Sequence, residues 1–154
     1  MKSPPEKPTK NSFSFQFETF SQIEDALELI FSPSAAAVIL YMTAIKCGVH
    51  TYKKMKKKIQ TKEEALNYLS ELKKEENWGR LSFRDISFKN ATGRVIILDS
   101  FETIARKTTQ PSCHFFRGYI AGFLSELFKK TMTVTEEKCA GKGDERCEFT
   151  FEPQ

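Results

Sequence analysis

The chain has 154 residues, 40% of them hydrophobic, with a net charge of +4 and no long low-complexity tract, which suits one compact domain. Its longest apolar run, Ala35 to Ile45 with Thr43 interrupting, is shorter than the roughly 20 residues a membrane-spanning helix needs, and Met1 to Asn11 lack the apolar core of a secretory leader, so no membrane span and a cytoplasmic location are expected. The clearest basic cluster, Lys53, Lys54, Lys56, Lys57 and Lys58, comes without base-reading or stacking groups and reads as a solvated helix end rather than a nucleic-acid surface.

Residues 1–11, rich in proline and lysine, read as a flexible tail with little apolar surface to bury, and residues 12–154 as a single domain. Phe13, Phe15 and Phe17 alternate with Ser14 and Gln16, the period of a short strand, and Phe20 leads into a helix over about residues 21–31. Ser32 and Pro33 suit an N-cap and first helical position. The apolar run behind them predicts a buried second helix ending near Gly48. Thr61 and Glu64 have the spacing of a capping box, after which Ala65, Leu66, Leu69 and Leu72 repeat at helical intervals towards Asn77, predicting an amphipathic helix that covers a sheet.

From Gly79 the pattern changes. Leu81, Phe83, Ile86 and Phe88 suit one strand, Asn90 to Gly93 a turn, and Val95 to Phe101 a second strand. Pro111 and Ser112 open a helix with a broad apolar stripe of Cys113, Phe116, Ile120, Phe123, Leu124 and Leu127, ending near Lys130. Met132, Val134 and Glu136 then share a strand face, and Cys147, Phe149 and Phe151 share a face of the returning strand, so a hairpin closes the chain. The expected fold class is α+β, an antiparallel sheet of about four strands with helices packed on it.

Cysteine carries the chemistry. In a reducing compartment the four cysteines favour metal binding, catalysis or burial over a disulfide framework. Cys139 and Cys147 flank a segment whose Gly141 and Gly143 allow the tight turn that brings two thiolates together. A zinc site wants about four ligands in a tetrahedron, and Cys113, placed in a first helical turn where a thiolate is favoured, can add a third. Glu136 and Glu137 compete for the fourth position. Three thiolates and a carboxylate leave negative charge for His114, Lys138, Lys142 and Arg146 to balance. The plainer alternative is three cysteines acting as small buried hydrophobes, with the glutamates solvated.

From Cys113 to Phe151 the spacing Cys-(x22)-Glu-(x2)-Cys-(x7)-Cys, with Gly-Asp-x-x-Cys at Gly143 to Cys147, resembles the 4-vinyl reductase domain family. The helix Cys113-His-Phe-Phe-Arg-Gly118-Tyr-Ile-Ala-Gly122, the Glu136-Glu-Lys-Cys139 element and Trp78-Gly79 fit the same pattern. The resemblance implies a zinc ion held by Cys113, Glu136, Cys139 and Cys147, and so prefers Glu136 to Glu137. It also implies a fold of the NO-signalling/Golgi-transport ligand-binding kind, shared with the sensing domains of phenol- and toluene-responsive transcription activators and with transport protein particle subunits. Homodimers, and an apolar pocket for an aromatic effector beside the metal-bearing hairpin, are implied as well.

Phe116, Ile120, Val134 and Phe149 are the pocket candidates, although aromatic residues at helical or strand spacing more often fill a core. Gly118 and Gly122 permit close approach of another element. Successive helical residues point about 100° apart, so His114 is a poor substitute for Cys113 as ligand. His50 is expected on the surface, and Cys47 is expected to be buried and outside the metal site. No nucleophile elbow, phosphate loop, dinucleotide fingerprint or two-histidine metal motif occurs, which weakens an enzyme reading and assigns no catalytic residue. The sequence therefore favours a zinc-stabilised binding or sensory domain for a small hydrophobic or aromatic molecule, signalling through a protein partner. A protein-interaction scaffold or a non-catalytic reductase subunit is the alternative.

Overall fold

A computed structural model describes residue 14 and residues 16–154. The expected tail, Phe13 and Phe15 lie outside these residues. Phe17 opens a helix rather than closing a strand: α1 spans Phe17–Ile30 and is followed by α2, Pro33–Met55. Ser32 caps α2, accepting a hydrogen bond from the Ala35 amide at 3.2 Å, with Pro33 at the first position. The third helix, α3, Lys62–Glu75, starts at the expected capping box, in which Thr61 and Glu64 satisfy each other's backbone amides.

The second helix departs from expectation twice. It does not stop at Gly48, because there glycine serves helix packing: a Cβ at this position would lie 2.1 Å from the Tyr119 carbonyl oxygen. Nor is α2 buried all round. Ala36, Leu40, Ala44, Gly48 and Met55 are buried, while Val38, Ile39 and Met42 are exposed. By length and composition alone α2 could cross a bilayer, but its stripe of small residues is packed against another helix of the same domain, as a core helix requires.

That helix is α5, His114–Phe128, which lies against α2 with almost no side chain between the backbones. A Cβ on Gly118 or Gly122 would meet the carbonyl oxygens of Tyr41 and Ile45 at 2.3 and 2.2 Å. The strands β1, Arg80–Ser87; β2, Thr92–Leu98; β3, Met132–Lys138; and β4, Cys147–Pro153 form one antiparallel sheet in the order β1-β2-β4-β3. Cross-strand partners Leu81, Ile97 and Cys147 form one row, and Phe83, Val95, Phe149 and Glu136 another. Partners in register share a face. Glu136 is thus delivered to the side of the sheet that holds the apolar core.

The second strand ends before Phe101. Asp99 takes φ 57°, the chain turns, and Phe101–Ile104 forms a short helix, α4. This element brings Phe101 into an aromatic cluster with Phe20, Trp78, Phe115 and Phe116. It also places Glu102 below the start of α5.

Candidate metal centre

The β3–β4 connection is built to expose two sulfur atoms to one point. Residues 140–142 form a 3-10 turn that Gly143 closes at φ 109°, a left-handed conformation that favours glycine. Asp144 holds the turn from both sides: its Oδ2 accepts the Cys139 amide at 2.8 Å, and its own amide donates to the Cys139 carbonyl at 3.2 Å. The Ala140 amide donates to Cys147 Sγ at 3.4 Å, the kind of bond that stabilises a thiolate.

Cys113 arrives from the other side, at the position capping α5 rather than within its first turn. Its Sγ lies 3.4 Å from Cys147 Sγ, and no disulfide joins them. A ligand atom from each of Cys113, Glu136, Cys139 and Cys147 lies within 4.8 Å of all the others. In a tetrahedral site with sulfur about 2.3 Å from zinc, neighbouring sulfurs stand about 3.8 Å apart. The spacing therefore fits a small divalent ion.

The structure separates the two adjacent glutamates. Glu136 lies opposite Phe149 on the core face, and its Oε2 accepts the Cys113 amide at 3.1 Å. Glu137 points to the other face, where its Oε1 accepts the Thr150 hydroxyl at 3.1 Å. Glu136 Oε1 is buried without a hydrogen-bond partner, an arrangement that is costly unless a cation or donor completes it.

Electrostatics point the same way. Hydrogen bonds from Cys113 and Cys147, with Ser112 adding another, pull the Cys139 thiol far below its usual range, which favours the thiolate. Its hydrogen bonds to Cys139 and Cys147, with burial, raise Cys113 well above the thiol range. Cys147 is drawn down by Cys113 but pushed up by Cys139 and by burial, to about 12. Burial and then the charge of Cys139 push Glu136 up to about 8. Without a cation, then, one thiol of the trio is pulled down while its two neighbours and the carboxylate are pushed up. A divalent ion would deprotonate all four at once.

Two groups expected to offset this charge are poorly suited to do so. Burial lowers the His114 pKa, and its Nδ1 is buried without a partner. Arg146 is held by Glu148 at 3.0 Å. Two carboxylates support the site in roles that the motif reading did not give. Glu102, fully buried, accepts the Phe115 and Phe116 amides at 2.8 Å each and so caps the helix that carries Cys113. Asp144 belongs to the Gly-Asp-x-x-Cys signature, which signalled it without revealing its role as the clamp of the turn. Cys47 is half-buried and outside the cluster, and His50 is exposed.

The pocket candidates Phe116, Ile120, Val134 and Phe149 are brought together in the core as fully buried side chains. Two surface grooves lie elsewhere. One of about 430 Å³ runs between α3 and β1 past Asn67, Ser70, Ser82 and Arg84, and one of about 290 Å³ is bounded by Phe17, Asn77, Arg80 and Ile104.

Residues 94–153 match the model of the 4-vinyl reductase domain. Over that stretch the chain is similar to the 4-vinyl reductase domain. Every member of the cysteine–glutamate cluster lies inside that matched stretch. Two uncharacterised proteins of Methanocaldococcus jannaschii are similar over short stretches, one 51% identical over 37 residues, 24% of this chain and 21% of that protein, the other 40% identical over 57 residues, 36% of this chain and 25% of that protein. The chain thus matches a quarter or less of the length of these curated relatives.

Among solved structures the fold is shared with the phenol-responsive sensory domain of the transcription activator PoxR with phenol, at a TM-score of 0.82 and 20% identity over 92% of this chain and 76% of that one. A vinyl-4-reductase family protein from M. jannaschii gives 0.67 and 20% over 94% and 85% of the two chains. A trafficking protein particle complex subunit 3 from Naegleria fowleri, covalently bound to palmitic acid, gives 0.65 and 13% over 90% and 95%. At these identities the likeness establishes the α+β fold of this chain.

Proposed function

We propose that the chain is a zinc-stabilised sensory domain that binds a small hydrophobic or aromatic molecule, acts as a homodimer and passes occupancy to a protein partner. The observation that carries this reading is the TM-score of 0.82 to a domain that senses phenol, in a chain whose family-matched stretch holds the convergent cysteine–glutamate cluster. Zinc suits the donor set, since three sulfurs and a carboxylate from the protein complete a closed tetrahedron and leave no position for a substrate. Its task is structural: it pins the β3–β4 hairpin to the start of α5. A cytoplasmic setting keeps the thiolates reduced.

The dimer reading rests on the outer surface of α1 and α2. Leu29, Ile30 and Phe31 at the end of α1, and Val38, Ile39 and Met42 on α2, are all exposed, more apolar surface in one region than a monomer usually leaves to water. The lysines 53, 54, 56, 57 and 58 sit at the far end of α2. A two-fold antiparallel crossing through the apolar end buries the patch and keeps the two basic ends apart.

A thermal-shift screen of phenols, other aromatics and aliphatic amphiphiles tests the sensory reading. At least one compound should raise the melting temperature saturably, and a uniformly flat screen counts against it. One feature favours the scaffold reading: Phe116, Ile120, Val134 and Phe149 pack as a filled core. A partner recovered in fixed stoichiometry whether or not small molecules are present would support that second reading.

A further inference from the structure

Lys73 lies in the last turn of α3, where a lysine ordinarily reaches water, yet it is only 2% exposed and ranks with the largest fully buried side chains. Its Nζ lies 3.8 Å from the centroid of the Trp78 ring and 4.2 Å from that of Tyr119, and it is ion-paired with Glu76. Two aromatic faces and a carboxylate around one ammonium form a recognition set for an organic cation.

The walls of this box are fixed. The Trp78 amide donates to the Lys73 carbonyl and the Phe101 amide to the Trp78 carbonyl, both at 2.9 Å, and the indole is backed by Phe101, Phe115 and Phe116. Tyr119 is anchored through its hydroxyl to Thr51. The occupant hangs on a flexible four-carbon stem and carries a charge that water hydrates strongly. Burial lowers the Lys73 pKa and Glu76 partly restores it, so the ammonium is held indoors against its hydration. Glu76 is 41% exposed, which puts the charged end one side chain from solvent.

We propose that the Trp78–Tyr119–Glu76 box is a binding site for a linear alkylammonium, an apolar chain with a cationic head, and that Lys73 is its tethered occupant, leaving past Glu76 when such a ligand enters. The proposal rests on the small-molecule reading above and gives that molecule a chemical class. The space vacated has the dimensions of the lysine side chain itself, so n-butylammonium is the matching probe. A ligand that must first displace Lys73 binds with an apparent affinity reduced by the small fraction of open molecules.

Trp78 is the single tryptophan of the chain, so fluorescence excited selectively in tryptophan reports on this box. The metal-loaded protein is titrated with n-butylammonium chloride, with sodium chloride at equal ionic strength, and with neutral 1-butanol. The expected result is a saturable change with n-butylammonium, none with sodium chloride or 1-butanol, and saturation of Lys73→Ala at a concentration at least about tenfold lower. A flat wild-type titration, an equal response to 1-butanol, or a Lys73→Ala variant that binds no more tightly overturns the proposal. Should Lys73→Ala fail to fold, the wild-type contrast between n-butylammonium and 1-butanol decides alone. Stabilisation by a neutral aromatic beside a flat n-butylammonium titration removes the box and leaves the sensory reading standing, whereas no response to any compound removes both.

Discussion

Cys113 and Glu136, 23 positions apart in the chain, are joined by a hydrogen bond from the Cys113 amide to Glu136 Oε2 at 3.1 Å. One carboxylate thereby does two things. Oε2 satisfies a backbone donor at the start of α5, and Oε1 is left buried beside three sulfurs with no partner of its own.

Glu136→Gln separates those two roles. The amide oxygen can still accept the Cys113 N–H, so the fold is expected to survive, but an amide is a poor ligand for zinc. Chelator competition should show metal lost at least about tenfold more readily than from wild type. Glu137→Gln, which changes only the pairing with Thr150 on the opposite face, should leave the metal in place.

The contact between α2 and α5 is set by backbone proximity. A methyl group at Gly122 would stand 2.2 Å from the Ile45 carbonyl oxygen, so the helices must separate to admit it. Gly122→Ala is expected to destabilise the protein by about 1–3 kcal/mol in denaturant unfolding, the usual range for overpacking.

Glu24 gives the domain a pH dependence. Burial pushes its pKa from 4.5 to about 7; Arg106 opposes the rise, and Glu28 and Asp25 add to it. Arg106 approaches Glu24 Oε1 at 3.5 Å without forming a hydrogen bond. Because the folded state holds the proton more tightly, this contribution to stability is complete below pH 4.5 and is lost as pH rises through about 7. Relative to Glu24→Gln, wild type should therefore lose on the order of 3 kcal/mol across that window. Thermal melts of both proteins over the same pH series measure it.

Val38→Asp combined with Met42→Asp places charge on the exposed face of α2 without touching its buried stripe. In sedimentation at micromolar concentration the wild-type chain should run as a dimer and this variant as a monomer, with unchanged metal content. A monomeric wild type would remove the dimer.

Much of this was legible in the sequence because local chemistry and tertiary structure agree. Thr61 and Glu64 announce a helix start that the fold keeps, and the alternation in Met132, Val134 and Glu136 places Glu136 on the core face. Where the sequence misled, the local signal was not the deciding one. Gly48 looks like a helix stop until Tyr119 is seen pressing on it. Phe17 looks like the end of an alternating strand, yet it starts α1. Lys73 gives no sign in the sequence that it is enclosed, since burial of its ammonium depends on rings from Trp78 and Tyr119, the second of which is far along the chain. The cysteine cluster was legible in part from spacing, but which of Glu136 and Glu137 joins it needed either the family pattern or the strand register.

The most direct test is elemental analysis of protein purified without chelators, paired with melting before and after metal removal. The account expects one zinc per chain, a marked fall in melting temperature when it is stripped, and loss of both metal and the stripping effect in Cys139→Ser. Freshly prepared wild-type protein that holds no metal, and melts at the same temperature as Cys139→Ser, would contradict it.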